Sequence, residues 1–141
     1  MRDLFPGSFD PVTQGHVDVL RRAALLFEEV VVCVMFNSNK TGRFPITERL
    51  GRIRAATTDL GNVTVDSHTG GLMVDYCHRV GIDVVIRGVR GVPDLGYEMP
   101  MARMNRELAG VETFFIAADP ALAHISSTLV TSISQQDRVP E

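Results

Sequence analysis

Five consecutive residues, Val30-Val31-Val32-Cys33-Val34, carry no polar side chain. A strand sends successive side chains to opposite faces, so a run that is apolar at both parities belongs to a strand covered on both sides, as in a parallel sheet. Parallel neighbours require crossover connections, and the chain supplies segments that suit them. Strand candidates are Asp3–Phe5, Val30–Phe36, Val63–Asp66, Val84–Arg87 and Thr113–Ala117, with helix-period segments between them. The first helix carries Val17, Leu20, Ala24 and Phe27 on one stripe, with Thr13 as its N-cap. The second carries Leu50, Ile53 and Leu60, starting near Thr47 and stopping at Gly61. The third carries Met73, Tyr76, Cys77 and Val80, with Gly81 as a stop. The fourth carries Tyr97, Met101, Met104 and Leu108 ahead of Gly110. A last helix begins near Ser126, with Leu129 and Ile133. This alternation has no linker, repeat or low-complexity stretch. It predicts an α/β fold, a doubly wound parallel sheet of about five strands, as a single domain over residues 1–141.

Charge and punctuation narrow the function classes. Lys and Arg number 14 against 17 Asp and Glu, a net charge of −3. That balance argues against a general nucleic-acid binder but leaves room for a small anionic ligand held by a few local cations. Pro6-Gly7 comes too soon after Met1 for a secretory h-region, and no apolar run approaches the ~18 residues of a membrane span. Cys33 and Cys77 lack metal-type spacing and read as buried free thiols.

Ligands of doubly wound sheets bind beyond the carboxyl ends of the strands, and the loops expected there are chemically unusual. After Phe5 comes Pro6-Gly7-Ser8-Phe9-Asp10-Pro11-Val12-Thr13-Gln14-Gly15-His16, a Pro/Gly loop that opens into a helix. Unpaired N–H groups at a helix start suit a phosphate. Gly15 admits a ligand near the backbone, and His16 adds a donor, the plainer reading of His16 being a helix cap. After Phe36 comes Asn37-Ser38-Asn39-Lys40-Thr41-Gly42-Arg43, where Lys40 is either a mobile phosphate-seeking cation or a solvated surface lysine. Ile86-Arg87-Gly88-Val89-Arg90-Gly91 places two arginines at a strand end, either a pair of surface arginines or guanidinium groups set to grip phosphate oxygens in pairs. Glu98 is suited to a ribose, to an arginine, or merely to solvent. The fourth loop leads to His124-Ile125-Ser126-Ser127-Thr128, hydroxyls that cap a helix and also bind phosphate. There is no Ser-His-Asp order, cysteine nucleophile or His/Cys metal cluster. The set handles polyphosphate by position and charge.

These residues resemble the nucleotidyltransferase superfamily with the T/H-x-G-H signature, here Thr13-Gln14-Gly15-His16. The match is most similar to the bacterial phosphopantetheine adenylyltransferase family. It runs from about Leu4 to Val130 through Pro6–Pro11, Ile86–Arg90, Asp94, Tyr97-Glu98-Met99, Met104-Asn105 and Ile125-Ser126-Ser127. The resemblance implies a Rossmann-like fold and a Mg²⁺-dependent transfer of AMP from ATP to 4′-phosphopantetheine, giving dephospho-coenzyme A and pyrophosphate. Attack would be in line and without a covalent intermediate. His16, Lys40 and Arg90 would be catalytic, with His16 on the pentacovalent α-phosphate. Ser8, Lys40, Leu72, Met73, Arg87 and Asn105 would bind the pantetheine substrate. Ser8, Phe9, His16, Gly88, Val89, Arg90 and Glu98 would bind ATP, together with Leu122, Ala123, His124, Ile125, Ser126, Ser127 and Thr128. Mg²⁺ would be held by phosphates and water, with no protein ligand. A cytoplasmic homohexamer is implied, and coenzyme A, which resembles the product, is a conceivable feedback ligand.

Three features depart from the family pattern. Pro100 follows Tyr97-Glu98-Met99, so the helix there is expected to start late or kink, which bears on the aim of Glu98. Thr131-Ser132 and Leu122-Ala123-His124 replace the usual residues around the Ile-Ser-Ser element. The chain ends at Glu141, about one helix early. Rival readings are a transferase with another phosphorylated acceptor, a non-catalytic nucleotide binder and, against the charge and sparse aromatics, an RNA-binding module.

Overall fold

A computed structural model of the chain describes residues 1–37 and 42–122. Strands β1 (Arg2–Gly7), β2 (Glu29–Phe36), β3 (Val63–Thr69), β4 (Val84–Val89) and β5 (Glu112–Ala117) alternate with helices α1 (Gln14–Leu26), α2 (Ile46–Ala56), α3 (Met73–Val80) and α4 (Val92–Ala109). All neighbouring strands pair in parallel, in the order β3-β2-β1-β4-β5. The expected strands and the doubly wound sheet are therefore present.

Strand parity sorts the core into two layers. Phe5, Val30, Val32, Val34 and Ile86 pack with Val19, Leu20 and Ala23 of α1 and Ile53 of α2. Leu4, Val31, Cys33 and Val85 pack on the opposite face with Tyr76 and Cys77 of α3. Both thiols are free and buried, and burial pushes them up, Cys33 to about 12 and Cys77 to about 11, so they stay protonated.

Several element ends differ from expectation, each for a local reason. β1 and β4 run on to Gly7 and Val89, which makes Pro6, Gly7, Gly88 and Val89 strand residues rather than loop residues. α2 stops at Ala56, well before Gly61. The Thr57 hydroxyl donates to the Ile53 carbonyl at 2.9 Å, and Leu60 falls in the turn that follows, its N–H on the Thr57 carbonyl. α4 does not start late. It begins at Val92, with Pro93 in its first turn, and continues through Pro100. Pro100 offers no N–H to the carbonyl of Gly96 four residues back, but Gly96 is exposed and water can serve that carbonyl. The stripe Tyr97, Met101, Met104, Leu108 faces outward, and the buried residue of α4 is Asn105. The helix expected near Ser126 lies outside the described residues.

The central strands part where the strand order reverses. β1 pairs with β2 over all six residues from Arg2 to Gly7, but with β4 only at Asp3–Val84 and Leu4–Val85. Pro6 has no N–H to give to a ladder, and its carbonyl accepts instead from the Arg87 side chain at 3.3 Å. The sheet is thus split beyond Leu4 at its topological switch point, the place where such sheets open a crevice.

Candidate active site

A cleft of about 680 Å³ fills this split. Its walls come from the β1–α1 turn, from β4 with the first turns of α4, and from Ala118 and Leu122 beyond β5. The turn is shaped by a reciprocal cap. Thr13, the N-cap of α1, accepts through its hydroxyl from the His16 N–H at 3.3 Å, while His16 Nδ1 accepts from the Thr13 N–H at 3.0 Å. His16 stands where a capping box has Glu or Gln, and this exchange has a chemical consequence. With Nδ1 accepting, the neutral ring carries its proton on Nε2, which has no partner among the described residues. Burial, and then the Arg87 charge, lower the imidazole to about 4, so at neutral pH it is an uncharged Nε2–H donor in the cleft wall. One end of the ring caps the helix, and the other presents its Nε2–H to the cleft.

Phe9 supports that ring edge-on, with centroids 5.2 Å apart and planes at 89°, and packs on Phe5 at 5.5 Å. Its φ of +45° is unusual for a side chain of this size, and it is only 3% exposed. Gly7 leaves space for it, since a Cβ there would meet the Phe9 ring at 2.9 Å. On the other wall, a Cβ on Gly88 would meet Val19 at 3.0 Å, so glycine lets α1 lie close against β4.

The two cleft arginines are held by carboxylates of α4. Glu98 accepts from Arg87 Nε at 2.9 Å and Nη2 at 2.7 Å, a two-point grip that, with the Pro6 carbonyl, fixes the guanidinium plane. Of the readings open for Glu98, the structure shows the arginine partner, on a helix that runs on through Pro100. Asp94 accepts from the Arg90 N–H at 2.9 Å and from its Nε and Nη2 at 3.0 and 3.1 Å. The hydrogen bond from Arg90 lowers the Asp94 carboxyl, and the same bond raises Arg90.

Of the site residues expected from the sequence, Ser8, Phe9, His16, Arg87, Gly88, Arg90, Glu98 and Leu122 line one cleft. Leu72, Met73, Val89 and Asn105 do not line it. Leu72 and Met73 stand at the same carboxyl rim, beyond β3, with Leu72 exposed and Met73 packed against the core. Asn105 is buried in the second half of α4. Lys40, Ala123, His124, Ile125, Ser126, Ser127 and Thr128 lie outside the described residues. Sequence reasoning missed Arg49, which is buried and bound to the Asp10 carboxylate. The signal was its place one turn ahead of Ile53, on the inward stripe of α2.

The fold and this cleft define a class, nucleotidyltransferases of the cytidylyltransferase-like kind, and a model of the cytidylyltransferase-like family matches residues 4–133. The phosphopantetheine adenylyltransferase of Clavibacter michiganensis is 52% identical over 91% of this chain and 80% of its own length. That of Streptomyces coelicolor is 47% identical over 94% and 83%. Among solved structures, a lipopolysaccharide core biosynthesis protein from Thermoplasma volcanium superposes with a TM-score of 0.58 at 23% identity, over 84% of this chain and 96% of that one. A bifunctional NMN adenylyltransferase/ADP ribose pyrophosphatase from Francisella tularensis gives 0.65 at 13%, over 90% and 39%; both show the shared fold. The chain belongs to the cytidylyltransferase-like family and, within it, to the phosphopantetheine adenylyltransferases.

Proposed function

We propose that the chain transfers AMP from ATP to 4′-phosphopantetheine, releasing pyrophosphate and forming dephospho-coenzyme A. The observation that carries the reading is the joint placement of the His16 imidazole and the Arg87 guanidinium at one split in the sheet. The attacking group is already a phosphate anion, so no strong base is required. Catalysis reduces to alignment and to offsetting charge as it builds on the α-phosphoryl oxygens. His16 Nε2–H is a fixed neutral donor of that kind, and it costs no reorganisation because Thr13 already holds the ring. Arg87 is assigned to the phosphate of the pantetheine substrate, with Ser8 and Lys40. Arg90, Gly88, Val89, Phe9 and Glu98 are assigned to ATP, with the Leu122–Thr128 segment. Leu72, Met73 and Asn105 are assigned to the pantetheine arm, which a rim position beyond β3 suits for Leu72 and Met73.

Mg²⁺ is assigned to ATP rather than to the protein. Among the described residues no three His, Cys, Asp or Glu side chains gather to hold a metal, and both cleft carboxylates are occupied by arginines. Phosphate oxygens and water make a suitable shell for that ion, which brings positive charge to the triphosphate. The outward stripe of α4, with Tyr97 at 79% and Leu108 at 60% exposure, supports self-association, and a homohexamer is the assembly assigned. Coenzyme A, by its likeness to the product, is assigned to the same cleft as a feedback ligand. Among the described residues no helix is long and apolar enough to cross a membrane, and the cytoplasm is the assigned compartment. Incubation with ATP, Mg²⁺ and 4′-phosphopantetheine, read by mass spectrometry, is expected to yield dephospho-coenzyme A and pyrophosphate. Binding of ATP without either product would overturn the assignment.

A further inference from the structure

Arg49 lies behind the cleft rather than in it. It is 6% exposed, and among the described residues its side-chain hydrogen bonds run to the turn that carries the site and to the segment laid over that turn. Nε donates to the Phe44 carbonyl at 2.8 Å and lies 3.4 Å from Asp10 Oδ1, and Nη1 donates to the Ser8 carbonyl at 3.3 Å. The Asp10 carboxylate in turn accepts from the Arg43 and Phe44 N–H groups at 2.7 and 2.8 Å. Gly42 lies so close that a Cβ there would collide with the Arg49 guanidinium. The anchors therefore seize Ser8 and Asp10, the residues on either side of Phe9. Phe9 is the one non-glycine with positive φ among the described residues. Such a backbone persists only where its surroundings over-determine it. The ring it places is the one set edge-on against His16.

We propose that Arg49, paired with Asp10, is a positioning residue for the transfer reaction: it holds Phe9 in its left-handed conformation and so fixes the imidazole of His16 in the cleft. This rests on the proposed adenylyl transfer. A buried ion pair that grips both sides of a strained turn is placed to aim the site, and stability alone explains it poorly, since apolar replacements of such pairs are often neutral or stabilising.

Three variants test it: Arg49→Lys, Arg49→Met and the double variant Asp10→Asn with Arg49→Met. The double variant removes both charges, so it leaves no buried charge unpaired and separates folding from aim. Turnover, KM for ATP, thermal midpoint and the His16 ring titration by NMR are measured on each. Arg49→Met is expected to lose about 10- to 100-fold in kcat, the scale of a small misplacement, with KM changed less than about threefold. Its His16 is expected to titrate nearer the ordinary histidine value than in the parent. Arg49→Lys is expected to be intermediate. The double variant is expected to regain the thermal midpoint but not kcat, and it decides the matter if Arg49→Met does not fold. Recovery of kcat together with the midpoint, or an unchanged His16 titration in a folded variant, would overturn the proposal. The NMR reading needs no turnover, so failure of the adenylyl-transfer reading is distinguishable from failure of this one.

Discussion

At the scale of the residue, His16 shows how one ring serves two needs. Its capping nitrogen fixes the tautomer, and burial with the Arg87 charge lowers the pKa to about 4. In the free protein the ring therefore stays neutral down to about pH 4. The profile of kcat/KM, which reports the free enzyme, is expected to show no inflection near pH 6.5 from this group, and NMR titration is expected to place it near 4. Arg87→Met removes the second cause of the shift and should move the ring's titration upward. By calorimetry the same change should weaken 4′-phosphopantetheine more than ATP. Asp3 poses the opposite problem. It is fully buried, neither carboxyl oxygen has a partner among the described residues, and burial, opposed by the N-terminal charge and helped by Asp83 and Glu28, raises it from 3.8 to about 6. Below about pH 4 it is protonated whether the chain is folded or not and changes nothing. Between about pH 4 and pH 6 the unfolded chain gives up this proton while the folded chain keeps it, so stability falls across that window and levels off above it. Asp3→Asn is thus expected to stabilise the protein at pH 7.5 by about 3 kcal/mol, at about 1.4 kcal/mol per pKa unit. Denaturant melts should show the gain vanish near pH 4.

At the scale of the element, the cleft exists because two strands fail to pair fully. Pro6 gives no ladder donor, and Gly88 lets α1 close on the far wall. Gly88→Val would drive a branched side chain against Val19, already 3.0 Å from where a Cβ would stand. It is expected to cost about 1–3 kcal/mol in chemical denaturation, the scale of overpacking. β2 was legible from the sequence because an apolar run at both parities allows few alternatives. Thr13 as N-cap and Gly81 as a helix stop were legible too, since each follows from a local conformation. The end of α2 was not, because a threonine hydroxyl turned back on the Ile53 carbonyl closes the helix before its glycine. The Tyr97–Leu108 stripe has helical period, but period alone does not say which face the sheet takes. The Asp10–Arg49 pair joins residues distant in sequence, and only the folded turn brings them together.

At the scale of the whole molecule, charge and shape divide the labour. The cleft lining described here holds two arginines and two carboxylates, so it brings little net charge to a triphosphate. On the proposed reaction, specificity would rest on fixed donors and on a cation brought by ATP. The apolar stripe on α4 lies on the outer surface, and sedimentation is expected to show assemblies larger than a monomer. Tyr97→Glu with Leu108→Glu is expected to shift them toward monomer. The central claim is that position and charge suffice, with the second phosphate attacking the α-phosphorus directly and no protein nucleophile intervening. Its most direct test uses ATP made chiral at the α-phosphorus with sulfur, followed by determination of configuration in the dephospho-coenzyme A formed. A single in-line displacement must invert that centre, and inversion is the expected result. Retention would mean two displacements through an adenylylated side chain, with His16 the first suspect, and would contradict the claim.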